Sequence, residues 1–178
     1  NIKYRIDFNQ SATIENIIFM EEELKNYYIE YIEEPLKANC GIEDYELLKK
    51  NIRSPLAIDE TIITKNNKKL YWYFEGLVNS GIVQYAVIKA SLLGSVANVM
   101  NLIDFFRDRN VEVIISSSLQ TKIGNMANIN IASVLNNDKC HGLNNHHYFN
   151  YPYSLIYNKH DILVDLSDVV GLGATWND

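Results

Sequence analysis

Short apolar, β-branched runs alternate with helical patterns along this 178-residue chain, and each run has a polar residue at or next to its end. The strand-like runs read KYRIDF, YYIEYIEE, PLAIDE, YAVIKA and VEVIISSS. The first helical stretch carries an apolar stripe formed by Ile14, Ile17, Ile18 and Leu24. Strand followed by helix, repeated, predicts βαβ units and a parallel sheet, which limits the chain to the α/β class.

The polar residues that end these runs recur at nearly constant spacing. Asp7, Glu33 and Asp59 are each 26 positions apart, Lys89 follows 30 positions later, and Ser116 another 27. Because one such repeat accommodates a strand, a helix and two loops, we expect these residues at the same end of neighbouring strands. In α/β sheets and barrels the carboxyl ends of the strands are where functional sites form.

Three carboxylates at one edge of a sheet point to a divalent cation. They would repel each other, and their pKa values would rise, unless a cation lay among them. Carboxylate oxygens suit Mg²⁺ or Mn²⁺ better than zinc. Taken singly, each acid has a more ordinary interpretation as a helix cap or turn residue. The histidines His141, His146 and His147 lack the spacing or Cys partner of a zinc site.

Composition and local sequence patterns exclude several classes of protein. The net charge of −6 argues against a nucleic-acid surface, and no apolar run reaches the roughly 18 residues that span a bilayer. The start NIKYRIDF lacks the layout of a secretory signal. With three prolines and no Gly/Ser-rich linker, we expect one domain over residues 1–178. Cys40 and Cys140 are predicted to be free thiols in a cytoplasmic protein.

The ordered motifs RIDFNQ, YIEEPL, AIDET, VIKASLLGS and VIISSSLQTKIG resemble the barrel half of the enolase superfamily. The ISSS segment, followed by HGLNN and a late GLG, looks most like the o-succinylbenzoate synthases of menaquinone biosynthesis. The resemblance covers the whole chain. It implies an α/β fold, an incomplete (β/α) barrel with about six of the usual eight βα units.

The resemblance also implies a metal centre. Asp7, Glu33 and Asp59 match the three metal ligands of the family, which binds Mg²⁺ (or Mn²⁺). Asn9 and Glu34 match residues expected to orient those ligands, since ligating carboxylates need hydrogen bonds of their own.

Four further residues are assigned to catalysis and substrate binding by the same resemblance. Lys89 matches the lysine on the sixth barrel strand, expected to face the reacting anion opposite the base. Ser116 and Ser117 match serines near the substrate carboxylate, and Gly142 matches the eighth-strand loop that lines the pocket. The implied reaction is a dehydration in which the metal stabilises an enediolate and loss of water gives an aromatic product.

The chain also departs from the family pattern. In the family the proton is abstracted by the second Lys of a K-x-K motif upstream of the first metal ligand, whereas Lys3 lies on the same strand as Asp7. We therefore expect a C-terminal portion that needs a missing N-terminal segment or chain, with its cap domain, and that has little activity alone. Ala90, Gln120 and Asn144 stand where Pro, Glu and Asp are usual.

Three alternatives stay open. A racemase or epimerase acting on N-acylamino acids or dipeptides would use Lys89 as a second acid/base, although the ISSS segment disfavours it because dipeptide epimerases usually carry an acidic pair there. A non-catalytic fragment would be stable only when bound to its missing half. A flavodoxin-like binding domain would use the strand-end acids as turn residues and show no Mg²⁺ dependence of stability.

Overall fold

Strands and helices alternate along the chain as the sequence predicts. The computed structural model describes residues 2–63, 68–135, 137–143, 153–155 and 164–176. The strands are β1 (Lys3–Asp7), β2 (Tyr28–Glu33), β3 (Leu56–Ile58), β4 (Tyr85–Ile88), β5 (Glu112–Ile115), β6 (Tyr153–Leu155) and β7 (Ala174–Trp176). The helices are α1 (Ile14–Glu23), α2 (Ile42–Asn51), α3 (Glu60–Ile63), α4 (Lys68–Asn79), α5 (Val96–Arg107) and α6 (Lys122–Val134).

The first five strands form one sheet in chain order, β1-β2-β3-β4-β5. The pairs β1–β2, β2–β3 and β3–β4 are parallel, with Asp7 opposite Glu33 and Glu33 opposite Ala57. Backbone hydrogen bonds continue past the strand ends, from the N–H of Phe8 to the carbonyl of Glu33 (3.1 Å) and from Glu34 to Ala57 (3.0 Å). The predicted α/β class and parallel pairing are confirmed.

The chain forms two compact units. The first unit contains residues Asn1–Ile88 and Met100–Val113, and the second contains Lys89–Val99 and Ile114–Asp178. The single domain expected over residues 1–178 stays a prediction.

In the first unit, one apolar face of each helix is buried. Ile17 of α1, Leu48 of α2 and Leu77 of α4 are completely buried. Burying a side chain of this size contributes about 1.5–3 kcal/mol. Phe74 of α4 and Phe106 of α5 meet edge to face, with ring centroids 5.6 Å apart, a favoured aromatic geometry.

The second unit contains α6 and a short antiparallel pair that the sequence pattern did not predict. Thr121 caps α6, since its hydroxyl accepts from the N–H of Gly124 (3.3 Å). Asn125 of α6 is completely buried, and its side-chain amide donates to the carbonyl of Leu143 (2.7 Å). Strands β6 and β7 pair antiparallel, with Ser154 opposite Thr175.

Two expectations from composition can be compared with the described residues. None of their helices has the length and apolar character needed to cross a bilayer. Cys40 is half-buried, Cys140 is exposed, and they do not form a disulfide.

The buried carboxylate of Glu21 accepts hydrogen bonds from the backbone just before β3. Glu21 of α1 is 7% exposed. Its carboxylate accepts from the N–H groups of Arg53 (2.9 Å) and Ser54 (2.6 Å). Burial raises the pKa of Glu21, but the hydrogen bonds from Ser54 and Arg53 together outweigh burial and hold the pKa below its usual value.

We predict that Glu21→Gln destabilises the chain by about 1–3 kcal/mol near pH 7, because charged hydrogen bonds become neutral ones. A carboxyl whose pKa is lower in the folded chain stabilises it above the unfolded pKa and loses that effect as pH falls through the folded pKa. The difference from wild type should therefore shrink below about pH 4. Urea unfolding across pH measures it, with the exposed Glu23→Gln on the same helix as control. An equal loss at pH 3 and pH 7 would contradict the prediction.

Candidate metal site and serine loop

The three predicted metal ligands lie at the carboxyl ends of three neighbouring strands. Asp7 is the last residue of β1, Glu33 is the last residue of β2, and Asp59 directly follows β3. Asp7 is exposed, whereas Glu33 and Asp59 are buried at 9% and 1% exposure. The strand-end position that the spacing predicts is therefore the position found.

Asn9 holds the carboxylate of Asp7 from the loop after β1. Its backbone N–H donates to Oδ1 of Asp7 (2.8 Å), and its side-chain amide donates to Oδ2 (2.8 Å). The same amide nitrogen lies 3.3 Å from Oε1 of Glu60, the first residue of α3. Each oxygen of Asp7 accepts one hydrogen bond here, and a carboxylate oxygen can accept two. These contacts fix the carboxylate of Asp7; the role of Asn9 beside a metal ligand stays a prediction.

The side chain of Glu34 is completely buried. Its carboxylate accepts four hydrogen bonds, two from backbone N–H groups and two from side chains. Its Oε1 accepts from the backbone N–H groups of Asp59 (2.7 Å) and Thr61 (2.8 Å). Its Oε2 accepts from the hydroxyl of Thr61 and the amide of Gln10, both at 3.0 Å. Burial raises the pKa of Glu34, and these donors act against that rise. The carboxylate therefore connects the loop after β1 to the residues after β3.

Three non-glycine residues near these strand ends have left-handed backbones. The φ angles of Asn9, Gln10 and Glu34 are 42°, 58° and 39°. Asn is tolerated in this region better than Gln or Glu. Such conformations cost about 1–3 kcal/mol each, persist only where the surrounding contacts hold them, and cluster at functional sites. The hydrogen bonds to Glu34 supply such contacts for Gln10 and for Glu34 itself.

The donor chemistry of Asp7, Glu33 and Asp59 fits a hard divalent cation, because all three offer carboxylate oxygens. Asp7 also retains acceptor capacity beyond its bonds to Asn9. Within the part of the chain that the structure describes, no three Asp, Glu, His or Cys side chains form a group that could hold a metal ion. The ligand roles of the three acids stay predictions.

The residues predicted to contact substrate in the second unit gather at the end of β5. Ser116 directly follows β5 and forms a parallel bridge to Gly142. The N–H of Ser117 donates to the carbonyl of Gly142, and the N–H of Gly142 donates to the carbonyl of Ile115, both at 2.9 Å. A Cβ at position 142 would lie 2.9 Å from Oγ of Ser116, so glycine permits this close approach.

Lys89 directly follows β4 and is half-buried. It precedes a single 3₁₀ turn over Ala90–Leu92. Of the three clustered histidines, His141 is described, and its Nδ1 accepts from the N–H of Ile115 (3.1 Å). Asn144, His146 and His147 lie outside the described residues.

Sequence reasoning did not single out several polar residues of these loops. They are Gln10, Glu60, Thr61 and Ser118. Each is within three positions of a predicted site residue, but motif spacing does not reveal which neighbours bond to one another.

Comparison with known proteins identifies the family. The family model described as enolase C-terminal domain-like matches residues 1–178. The chain belongs to this family. The predicted resemblance is confirmed at this level.

Individual relatives are only 21–25% identical to this chain over the matched residues. It is 25% identical over 128 residues to o-succinylbenzoate synthase of Bacillus subtilis (strain 168), covering 72% of this chain and 32% of that protein. A crystal structure of dipeptide epimerase from Enterococcus faecalis V583, complexed with Mg and the dipeptide L-Leu-L-Tyr, superposes with a TM-score of 0.81 at 22% identity, covering 98% of this chain and 48% of the other. MenC from Desulfotalea psychrophila LSv54 gives 0.65 at 21% identity, covering 80% and 38%.

The two structural matches confirm the fold of the chain. The matched regions span less than half of each relative's length. At such identities the structural matches support the enolase-type fold, which occurs in both synthases and epimerases.

We predict that Glu34→Ala destabilises the chain by about 3 kcal/mol or more, because buried donors lose their acceptor. Glu34→Gln should lose less, because its amide oxygen still accepts from the N–H groups of Asp59 and Thr61. Glu46→Ala, on the exposed face of α2, is the matched control. Urea unfolding at neutral pH measures all three. If Glu34→Ala proved as stable as Glu46→Ala, the network would contribute nothing to stability.

Proposed function

We propose that this chain is the metal-binding barrel portion of a cytoplasmic o-succinylbenzoate synthase, a metal-dependent dehydratase of menaquinone biosynthesis. The observation that carries the proposal is that Asp7, Glu33 and Asp59 lie at the carboxyl ends of three consecutive parallel strands. The similarity to the Bacillus subtilis synthase supports this reaction. The ISSS segment favours a synthase over a dipeptide epimerase, because no acidic pair occurs there.

The proposed metal centre uses the strand-end carboxylates. Asp7, Glu33 and Asp59 would hold Mg²⁺ or Mn²⁺, and the bound cation would act as a Lewis acid toward the substrate carboxylate. Asn9 holds Asp7 through both carboxylate oxygens. Glu34 accepts a hydrogen bond from the backbone N–H of Asp59, which fixes the backbone at that residue. Hydrogen bonds of this kind around metal ligands commonly change metal affinity about 10–100-fold when removed.

The remaining roles follow the charge that develops during the reaction. Removing a proton next to a carboxylate creates a second negative charge, and the ammonium of Lys89 would stabilise that charge electrostatically. Ser116, Ser117 and Gly142 would orient the substrate. Proton abstraction would need a base from a further segment or chain, because no K-x-K motif precedes Asp7 within these residues.

We predict that Asp7→Asn, Glu33→Gln and Asp59→Asn each weaken Mg²⁺ and Mn²⁺ binding at least about tenfold, because each removes a charged oxygen ligand. Titration calorimetry with Mg²⁺ and electron paramagnetic resonance of free Mn²⁺ measure binding without requiring turnover. Glu23→Gln, an exposed carboxylate on α1, removes the same charge elsewhere. Unchanged affinity in all three ligand variants, or an equal loss in Glu23→Gln, would rule out the proposed centre.

We predict that turnover distinguishes the possible reactions. The 178-residue chain alone should not convert a hydroxycyclohexadiene carboxylate, whereas the same chain preceded by a K-x-K segment should form the aromatic acid in a Mg²⁺-dependent reaction. Incubation in D₂O with an N-acylamino acid or dipeptide tests for α-deuterium exchange. Exchange without formation of the aromatic acid would identify a racemase or epimerase instead, and family-like rates from the chain alone would show that no external base is needed.

A further inference from the structure

The side-chain amide of Asn9 lies between two carboxylates that belong to different strand ends. Its nitrogen is 2.8 Å from Oδ2 of Asp7, at the end of β1, and 3.3 Å from Oε1 of Glu60, just after β3. Ionised carboxylate oxygens only accept hydrogen bonds, and an amide NH₂ group has two hydrogens to donate. The NH₂ group of Asn9 can therefore donate one hydrogen to each carboxylate. All three residues belong to the first unit.

The backbone on both sides of Glu60 is fixed by one buried oxygen. Oε1 of Glu34 accepts from the N–H of Asp59 (2.7 Å) and from the N–H of Thr61 (2.8 Å). Glu60 is the residue between them, and it begins the short helix α3. Because Glu34 is completely buried, these two bonds are electrostatically stronger than they would be in water. The position of Glu60 therefore follows the position of the end of β3.

The two oxygens of the Glu60 carboxylate have different surroundings. Oε1 contacts Asn9, whereas Oε2 is buried and no donor among the described residues reaches it. A buried carboxylate oxygen without a donor costs free energy. In a native protein such a group calls for an explanation, and an ion or a functional role is a common one. Glu60 directly follows Asp59 and contacts the residue that holds Asp7, so the proposed cation centre supplies that explanation.

A role in the helix alone does not account for this arrangement. An acidic residue in the first turn of a helix interacts favourably with the helix dipole, and Glu60 occupies that turn of α3. However, α3 has only four residues, so the summed dipole is small. An exposed carboxylate would serve the dipole equally well, and it would avoid the cost of burying Oε2.

Mg²⁺ is more sensitive than Ca²⁺ to the spacing of its ligands. Mg²⁺ requires near-ideal octahedral geometry with bonds of about 2.0–2.1 Å, whereas Ca²⁺ accepts about six to eight oxygens at about 2.3–2.6 Å in flexible arrangements. A contact that fixes Asp7 relative to Asp59 should therefore affect Mg²⁺ affinity more than Ca²⁺ affinity. A negative charge by itself affects both ions alike, because both carry two positive charges.

We propose that Glu60 is a positioning residue of the cation centre: through the Asn9 amide it fixes the carboxylate of Asp7 relative to Asp59, at a spacing that favours Mg²⁺ over the larger Ca²⁺. The inference deepens the proposed function and rests on it for the cation and its three ligands. Glu60 acts through Asn9 and is not itself a ligand in this arrangement.

The test measures the Mg²⁺ and Ca²⁺ affinities of the 178-residue chain by titration calorimetry. Glu60→Ala should weaken Mg²⁺ binding by about tenfold or more, the scale for groups that hold metal ligands, and should weaken Ca²⁺ binding by a clearly smaller factor. Glu60→Gln keeps an oxygen that can accept from Asn9 but loses the charge. It should weaken the binding of both ions alike and keep the selectivity of wild type.

A second position shows whether Glu60 acts through Asn9. Asn9→Gly removes the amide, and glycine tolerates the left-handed backbone of this position (φ 42°). This variant should by itself lower the preference for Mg²⁺, and Glu60→Ala in the same background should not lower it further. An added loss as large as in the wild-type background would show that Glu60 acts by another route, and it would overturn the inference.

Controls separate positioning from loss of charge and from loss of folding. Glu23→Ala, at the exposed last residue of α1, removes a carboxylate elsewhere and should leave both affinities unchanged. Thermal unfolding without metal identifies variants that are less folded, and such a defect lowers both affinities by the same factor. Unchanged selectivity in Glu60→Ala, or an equal loss of selectivity in Glu60→Gln, would also overturn the inference.

The outcome is separable from that of the proposed function. If the chain with its K-x-K segment forms no aromatic acid, but the Mg²⁺ selectivity depends on Glu60 and Asn9, the reaction is wrong and the inference stands. If the aromatic acid forms and the selectivity does not depend on Glu60, the inference alone is wrong. If the three ligand variants leave Mg²⁺ affinity unchanged, the centre is wrong and the inference is wrong with it.

Discussion

The carboxylate of Glu34 is the interaction on which the strand-end architecture of the first unit depends. A buried charge is costly unless donors satisfy it. Glu34 meets that requirement by collecting bonds from Gln10, Asp59 and Thr61. The same bonds hold the loop after β1 against the residues after β3, and they stabilise backbone conformations that Gln and Glu otherwise avoid. These hydrogen bonds offset the desolvation of the carboxylate, and they fix the positions of its neighbours.

Among the described residues of the second unit, the buried polar side chains are the neutral Asn125 and Asn128. Gln120 uses both ends of a neutral amide to connect three serines. Ser116 approaches Gly142 closely because that residue has no side chain. Here neutral hydrogen bonds, and not a buried charge, hold the loop together.

Some features of the site could be predicted from the sequence, and others could not. Strand-end positions were predictable for Asp7, Glu33 and Asp59, because each parallel βαβ unit repeats with similar length. The pairing of Asn9 with Asp7 was predictable from the motif, since residues two apart in a tight loop meet readily. The contact of Asn9 with Glu60 was not, because these residues are 51 positions apart and α3 has no clear helical stripe. The antiparallel pair β6–β7 was also missed, since three-residue strands give too short an alternation to detect.

The sequence by itself determined the α/β class, the order of the first five strands and their helices, and the acidic or polar residue at the carboxyl end of each of those five strands. Those features depend on local periodicity and on the fixed geometry of parallel pairing. The tertiary structure alone decided which donors reach Glu34 and how the amide of Gln120 is oriented. Hydrogen bonds between side chains depend on distances of a few tenths of an ångström between distant segments, and only packing sets those distances.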